Sequence, residues 1–176
     1  MTIDKFGENW FTYADFYTAM VKRFASGSHF VEVGSHKGRS VNFLVQECRR
    51  QEKNIYVDIV DRNDAFINTE LVHNLQSEGT LSGIHEMHFS LSCDAVKYYA
   101  NHSVDFVMID ADNSYEGAKQ NILDWLPKIK PHGIMAIQDY TEKQFGSHKA
   151  FDEVFSLSSI GIKTMGKIAY VENVSW

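Results

Sequence analysis

The chain has little that would break it up or lock it together. Only two prolines occur in 176 residues, Pro127 and Pro131, and both flank one boundary. The two cysteines, Cys48 and Cys93, are too few for a disulfide framework. Both sit in apolar-patterned segments, which points to buried, reduced thiols. No apolar run reaches the roughly 18 residues of a membrane span, and the start, MTIDKFGENW, lacks the basic-then-apolar pattern of a signal segment. A cytoplasmic protein with no membrane partner is expected. Basic blocks are absent too: the net charge is −6 and the pI near 5.7. General nucleic-acid binding needs basic surface to displace counterions, so no nucleic-acid partner is expected. Repeats, low-complexity tracts and linkers are also missing. The length suits one domain, residues 1–176, with an N-terminal helical segment (1–27) and a core (28–176).

What is present is alternation. Trp10, Ala14, Tyr17, Val21 and Phe24 recur every three or four residues, the pattern of an amphipathic helix. Short apolar runs then alternate with helical patterns. "HFVEVG" precedes a helix through Val41, Leu44, Val45 and Cys48, and "NIYVDIVD" precedes one from Phe66 to Leu75. "IHEMHFS" precedes one from Ala95 to Ala100, and "VDFVMID" one carrying Tyr115, Ala118, Ile122, Trp125 and Ile129. "GIMAIQD" precedes one from Ala150 to Leu157. Such runs indicate an α/β fold whose parallel sheet is covered on both faces. The tail, "IKTMGKIAYVENV", has two strand patterns joined at Gly166, which adds an antiparallel edge hairpin.

In an open sheet of this kind, ligands bind outside the carboxyl ends of the strands. The first end, "FVEVGSHKGRS", is not a P-loop: it is one residue short, and Arg39 stands in place of the phosphate-binding lysine. It is not a dinucleotide fingerprint either, because Ser35 and His36 occupy the positions around the close second glycine. It fits acid-x-Gly-x-x-x-Gly, Glu32 to Gly38, in which the chain turns over an uncharged nucleoside and the acid faces an ammonium. A turn without a ligand is the plainer alternative. At the second end, Asp61 is the candidate for ribose hydroxyls, with Asp58 as the fallback if the strand stops early. At the third, Ser92 faces an adenine edge or, with Asp94, caps the next helix. The fourth and fifth ends place Asp110 and Asp112, then Gln138 and Asp139, at the rim of apolar strands. If those two strands are neighbours, Asp110 and Asp139 converge. Their oxygens would suit a hard divalent cation such as Mg²⁺, or serve as a general base.

These pieces together resemble class I S-adenosylmethionine-dependent methyltransferases, particularly small-molecule O-methyltransferases similar to the macrocin and cephalosporin-pathway enzymes. The resemblance runs from about Phe30 to Phe155 and is carried by "FVEVGSHKGRS", "VDFVMIDADNSYEGAKQNILDWLPKIKPHGIMAIQDY" and "GSHKAFDEVF". It implies a Rossmann-like, doubly wound, seven-stranded sheet, mostly parallel, with an antiparallel C-terminal edge. It implies that Glu32, Gly34 and the loop through Ser35 and Gly38 to Ser40 hold the methionine part of the cofactor. Asp61 would hold the ribose and Ser92 would lie near the adenine. Asp110 counts both among the cofactor-binding residues and, with Asp139, as a catalytic candidate, while Asp110, Gln138 and Asp139 form the implied metal set. The chain departs from the resemblance at Gln138, where an acid is usual, and at Asn113, where a histidine is frequent.

The expected reaction is methylation of a hydroxyl on a sugar, glycoside or phenol. The alternative is a module that binds the nucleoside without catalysis. Trp10, Phe11, Tyr13, Phe16 and Tyr17 would line an acceptor pocket, form a homodimer contact or simply pack on the sheet; His148 and Lys149 would reach the acceptor or lie on the surface. A nucleic-acid methyltransferase is disfavoured because its Asn/Asp-Pro-Pro-aromatic loop is replaced here by Ile109-Asp110-Ala111-Asp112.

Overall fold

The computed structural model describes residues 4–141, 145–156 and 160–173. Its elements run α1 (Ala14–Arg23), β1 (His29–Val33), α2 (Arg39–Arg50), β2 (Tyr56–Asp61), α3 (Ala65–Ser77) and β3 (Ile84–Phe89). They continue through α4 (Ser92–Ala95), β4 (Val104–Ile109), α5 (Tyr115–Trp125), β5 (Ile129–Ile137), α6 (Phe145–Phe155), β6 (Lys163–Met165) and β7 (Ile168–Glu172). Seven strands form one sheet in the order β3-β2-β1-β4-β5-β7-β6. β1 to β5 pair in parallel, and β7 joins β5 and β6 antiparallel, turning at Gly166 as expected. The sheet is the covered, mostly parallel α/β sheet that the alternating runs implied, in the seven-stranded Rossmann-like arrangement that the resemblance implied.

β4 and β5 read as continuous apolar runs because helices cover both sides of the sheet. On one face, α1, α2 and α3 bury Phe16, Tyr17, Leu44 and Leu71 against Phe30 and Phe106. On the other, α5 and α6 bury Ile122, Trp125, Phe151 and Phe155 against Val31 and Val107. Side chains alternate between these faces along each strand, which fixes the register. Local chemistry sets the helix starts: Asp64 accepts from the Phe66 and Ile67 amides, and Ser114 from Gly117.

Several expected boundaries shift. Trp10 precedes α1 and is 59% exposed, because the chain is not helical until Ala14; the buried face is Phe16, Tyr17, Met20 and Val21. The helix expected over Ala95 to Ala100 is instead the short α4 followed by one tighter turn, Val96–Tyr98. Ile129 opens β5 rather than closing the preceding helix. Leu157 lies outside the described residues. Cys48 is buried as expected, whereas Cys93 is exposed on the four-residue α4. Among the described residues no helix is long and apolar enough to cross a membrane.

Candidate active site

The order of the sheet reverses at β1, where β2 lies on one side and β4 on the other. That switch point opens a crevice of about 1030 Å³ at the carboxyl ends of the strands, lined by Gly34, Ser35, Asp61, Ser92, Asp110 and Asp139 among others. Its floor is tight. Gly34 has φ +94°, and a Cβ there would lie 2.0 Å from the Asp110 carbonyl oxygen, so only glycine lets the ends of β1 and β4 close together. Gly38, at φ +87°, turns the chain into α2, and its open side faces Leu71 and Leu75 rather than the crevice.

Glu32 is 1% exposed, one layer behind the wall, and accepts from the Tyr17 and Ser40 hydroxyls. Burial pushes its carboxyl up to about 7 despite those bonds. Ser40 itself lines the crevice. Asp61 anchors the glycine loop: its Oδ2 accepts from the amides of Ser35 at 2.8 Å and His36 at 2.5 Å. Burial raises its carboxyl as well. Asp58 is excluded as its substitute, being fully buried mid-strand and bonded to His29, His85 and Tyr99. The Ser35 hydroxyl is buried near Glu32 without a hydrogen bond of good geometry, which leaves it open to a ligand. Ser92 lines the crevice but does not cap α4; its Oγ accepts from Trp125 Nε1 at 2.8 Å. Asp94 instead pairs with Lys97 on the surface.

β4 and β5 are neighbours, so Asp110 and Asp139 do reach the same crevice. Burial holds Asp110 well above the usual carboxylate range, with Glu32, Asp139 and Asp61 adding to the rise. Tyr13 Oη donates to Asp110 Oδ2 at 2.8 Å. Gln138 packs on the same carboxylate; its amide is assigned with the nitrogen toward Asp110, 2.6 Å from Oδ2, because the opposite assignment sets acceptor oxygens against each other. Asp139 accepts from Asn113 Nδ2 at 3.1 Å and has φ +57°. A divalent cation requires lone pairs turned inward from its ligands. With its amide assigned this way, Gln138 presents a donor to Asp110 rather than a ligand oxygen to a cation, so the arrangement of Asp110, Gln138 and Asp139 does not fit a resident cation.

Two acids, the buried Glu32 and the half-buried Asp110, therefore share the crevice region, and among the described residues neither has a Lys or Arg partner. The tyrosines that hold them were the part sequence reasoning missed. Tyr13 and Tyr17 stood in an aromatic cluster with nothing to mark which hydroxyl met which acid. Trp10 lies at the crevice mouth with its ring 5.3 Å from His36, and Phe11 packs on Tyr13 and Phe43. His148 pairs with Asp152 and packs on Tyr140, while Lys149 sits over Tyr115; neither lines the crevice.

The fold has many solved relatives. The cofactor-bound Rv0187 from MTB superimposes with a TM-score of 0.76 at 13% identity, covering 99% of this chain and 85% of that one. An O-methyltransferase from Bacillus cereus in complex with SAH gives 0.72 at 13%, covering 94% and 82%. TomG, an O-methyltransferase from Streptomyces achromogenes involved in tomaymycin synthesis and solved with SAM, gives 0.70 at 12%, covering 92% and 79%. No curated protein matches the chain. A model of the methyltransferase domain matches residues 31–140, more than half of the sequence, and the chain belongs to that family.

Proposed function

We propose that this protein is an S-adenosylmethionine-dependent O-methyltransferase acting on a small-molecule hydroxyl of a sugar, glycoside or phenol. The observation that carries the reading is the pair of acids, the buried Glu32 and the half-buried Asp110, without basic partners beside a nucleoside-sized crevice. A buried carboxylate without a counter-charge is costly, and a ligand bearing an ammonium and a sulfonium would supply the missing charge. The fit is supported by the buried Ser35 hydroxyl and by the tight Gly34 turn, both of which line the crevice. Solved relatives carry SAM or SAH on this fold.

Ser40, Ser35 and the Gly34 turn would hold the amino-acid end, Asp61 the ribose and the Ser92 region the base. Bound there, the cofactor supplies a methyl group on a positively charged sulfur. Displacement at that carbon is in line, so the main work of the protein is to align the acceptor oxygen. Asp110 is the candidate base. Its raised carboxyl makes a strong proton acceptor, and the positive charge of the bound ligand favours the ionised form it needs. The Tyr13 hydroxyl would keep the carboxylate oriented toward the incoming hydroxyl. The exposed Trp10 ring at the mouth offers a flat apolar surface of the kind sugars and phenols pack on. No metal takes part in these steps.

A coupled SAH-release screen over sugars, glycosides and phenols, run with and without EDTA, tests the reading. Acceptor-dependent release that Asp110→Asn abolishes is the expected result. SAM binding with no release for any acceptor would favour a nucleoside-binding module without catalysis.

A further inference from the structure

At the opposite end of the sheet lies a second group of side chains that methyl transfer does not use. Asp58 sits mid-strand in β2, fully buried, on the face covered by α5 and α6. His29 opens β1, and its Nε2 lies 2.6 Å from Asp58 Oδ2; His85, second in β3, places Nδ1 2.9 Å from Oδ1. The three ligand-type atoms all fall within 4.8 Å of one another. From Asp58 to the crevice end of β2 the strand rises about 10 Å, so this group is separate from the crevice.

The backbone is bent to make the group. Along β3, Ile84 pairs with Val57 but Glu86 pairs with Asp58, leaving His85 as the extra residue of a bulge. Ile84 and Met87 pack with the opposite face, so the bulge puts two consecutive side chains, His85 and Glu86, on the side of Asp58. Bulges that re-aim one side chain are characteristic of sites. Asp58 is further oriented by Tyr99 Oη at 2.9 Å on Oδ2 and by the Glu86 amide at 3.1 Å on Oδ1. Outer hydrogen bonds of this kind fix a ligating carboxylate while leaving lone pairs for an ion. The ring of Tyr56 lies 5.0 Å from that of His85, and the ring of Tyr99 5.8 Å from that of His29, which limits how far either imidazole can turn.

We propose that His29, Asp58 and His85 form a binding site for one Zn²⁺-class transition-metal ion. Two imidazole nitrogens and one carboxylate oxygen suit zinc and its neighbours, and not the all-oxygen preference of Mg²⁺. Bonds of about 2.0–2.1 Å in a tetrahedron separate ligand atoms by roughly 3.3 Å, so the two imidazole–carboxylate spacings need open by less than about 1 Å. The His29 side chain is 21% and that of His85 43% exposed, which leaves water free to complete the coordination. The ion would join β1, β2 and β3, and β3 is an edge strand of the sheet.

Titration calorimetry of the tag-free full chain, stripped of metal by chelator and dialysed, tests this. Zn²⁺ should bind at one ion per chain with a raised melting temperature, and Mg²⁺ should not. His29→Ala and His85→Ala should each weaken Zn²⁺ at least about tenfold, while His88→Ala, outside the trio, should leave it unchanged. Asp58→Asn could compromise folding, so the partly exposed histidines carry the test, with far-UV circular dichroism of each metal-free variant as the check. No heat with Zn²⁺, unchanged affinity in both His29→Ala and His85→Ala, or loss of binding in His88→Ala would overturn the assignment. SAM binding should persist in His85→Ala, which separates this site from the crevice.

Discussion

Glu32→Gln separates the function of the crevice from its cost to stability. In the free protein the Glu32 carboxyl is pushed from 4.5 up to about 7. The folded state therefore binds its proton more tightly than the unfolded chain does, and stability falls as pH rises from about 4.5 through about 7. At about 1.4 kcal/mol for each tenfold change, that difference amounts to roughly 3 kcal/mol of destabilisation above pH 7. Glutamine removes the charge and keeps an oxygen to accept from Tyr17 and Ser40, but leaves its amide hydrogens short of partners, so a net gain of about 1–3 kcal/mol is expected. For a chain of this length, each kcal/mol shifts the melting temperature by about 2–4 °C. Thermal melts of ligand-free protein should show Glu32→Gln several degrees above wild type at pH 8 and level with it at pH 5. Calorimetry should show the opposite for SAM, whose affinity falls about tenfold or more when the attracting charge is lost. Wild-type affinity should also weaken as pH drops below about 7, where protons compete for Glu32, and the variant should lose that dependence. A variant less stable than wild type at pH 8, or one binding SAM equally well at every pH, would refute the reasoning.

Gly34→Ala should lose SAM binding and several degrees of melting temperature, because its Cβ meets the Asp110 carbonyl oxygen at 2.0 Å and φ is +94°; scanning fluorimetry with and without SAM checks both. Tyr13→Phe should lower turnover about tenfold or more while SAM affinity stays close to wild type, since it frees Asp110 from its orienting hydroxyl; initial rates and calorimetry separate the two effects. EDTA should leave turnover unchanged, because the Gln138 amide offers Asp110 a donor rather than a ligand oxygen; a loss restored by Mg²⁺ would contradict the metal-free steps. Trp125→Ala should destabilise by about 3–5 kcal/mol, a fully buried ring being removed from the α5 face; urea denaturation measures it.

The sheet was legible because its strands are written as apolar runs that alternate with helix-period segments, and the crevice because acids and glycines close those runs. Glu32, Asp61, Asp110 and Asp139 each sit within two residues of the carboxyl end of a strand. What was hidden depends on long-range contact. Tyr13 reaches Asp110 across 97 positions, and Tyr17 reaches Glu32 from a neighbouring element, pairings that periodicity cannot express. Asp58 reads as one more acid in a strand until the bulge at His85 and the start of β1 place two imidazoles on it. Trp10 fits a helical spacing but lies outside the helix, because the segment before Ala14 runs along the crevice instead. Gln138 is the reverse case: the sequence shows an amide where an acid is usual, and its contact with the Asp110 carboxylate assigns that amide as a donor.

Titration of SAM into the wild-type protein by calorimetry, with ATP as the comparison, tests the central claim most directly. One SAM per chain, displaced by SAH and much tighter than ATP, is the result expected of a crevice whose buried acids await a positive charge. Absence of SAM binding, or ATP binding as tight as SAM, would contradict it.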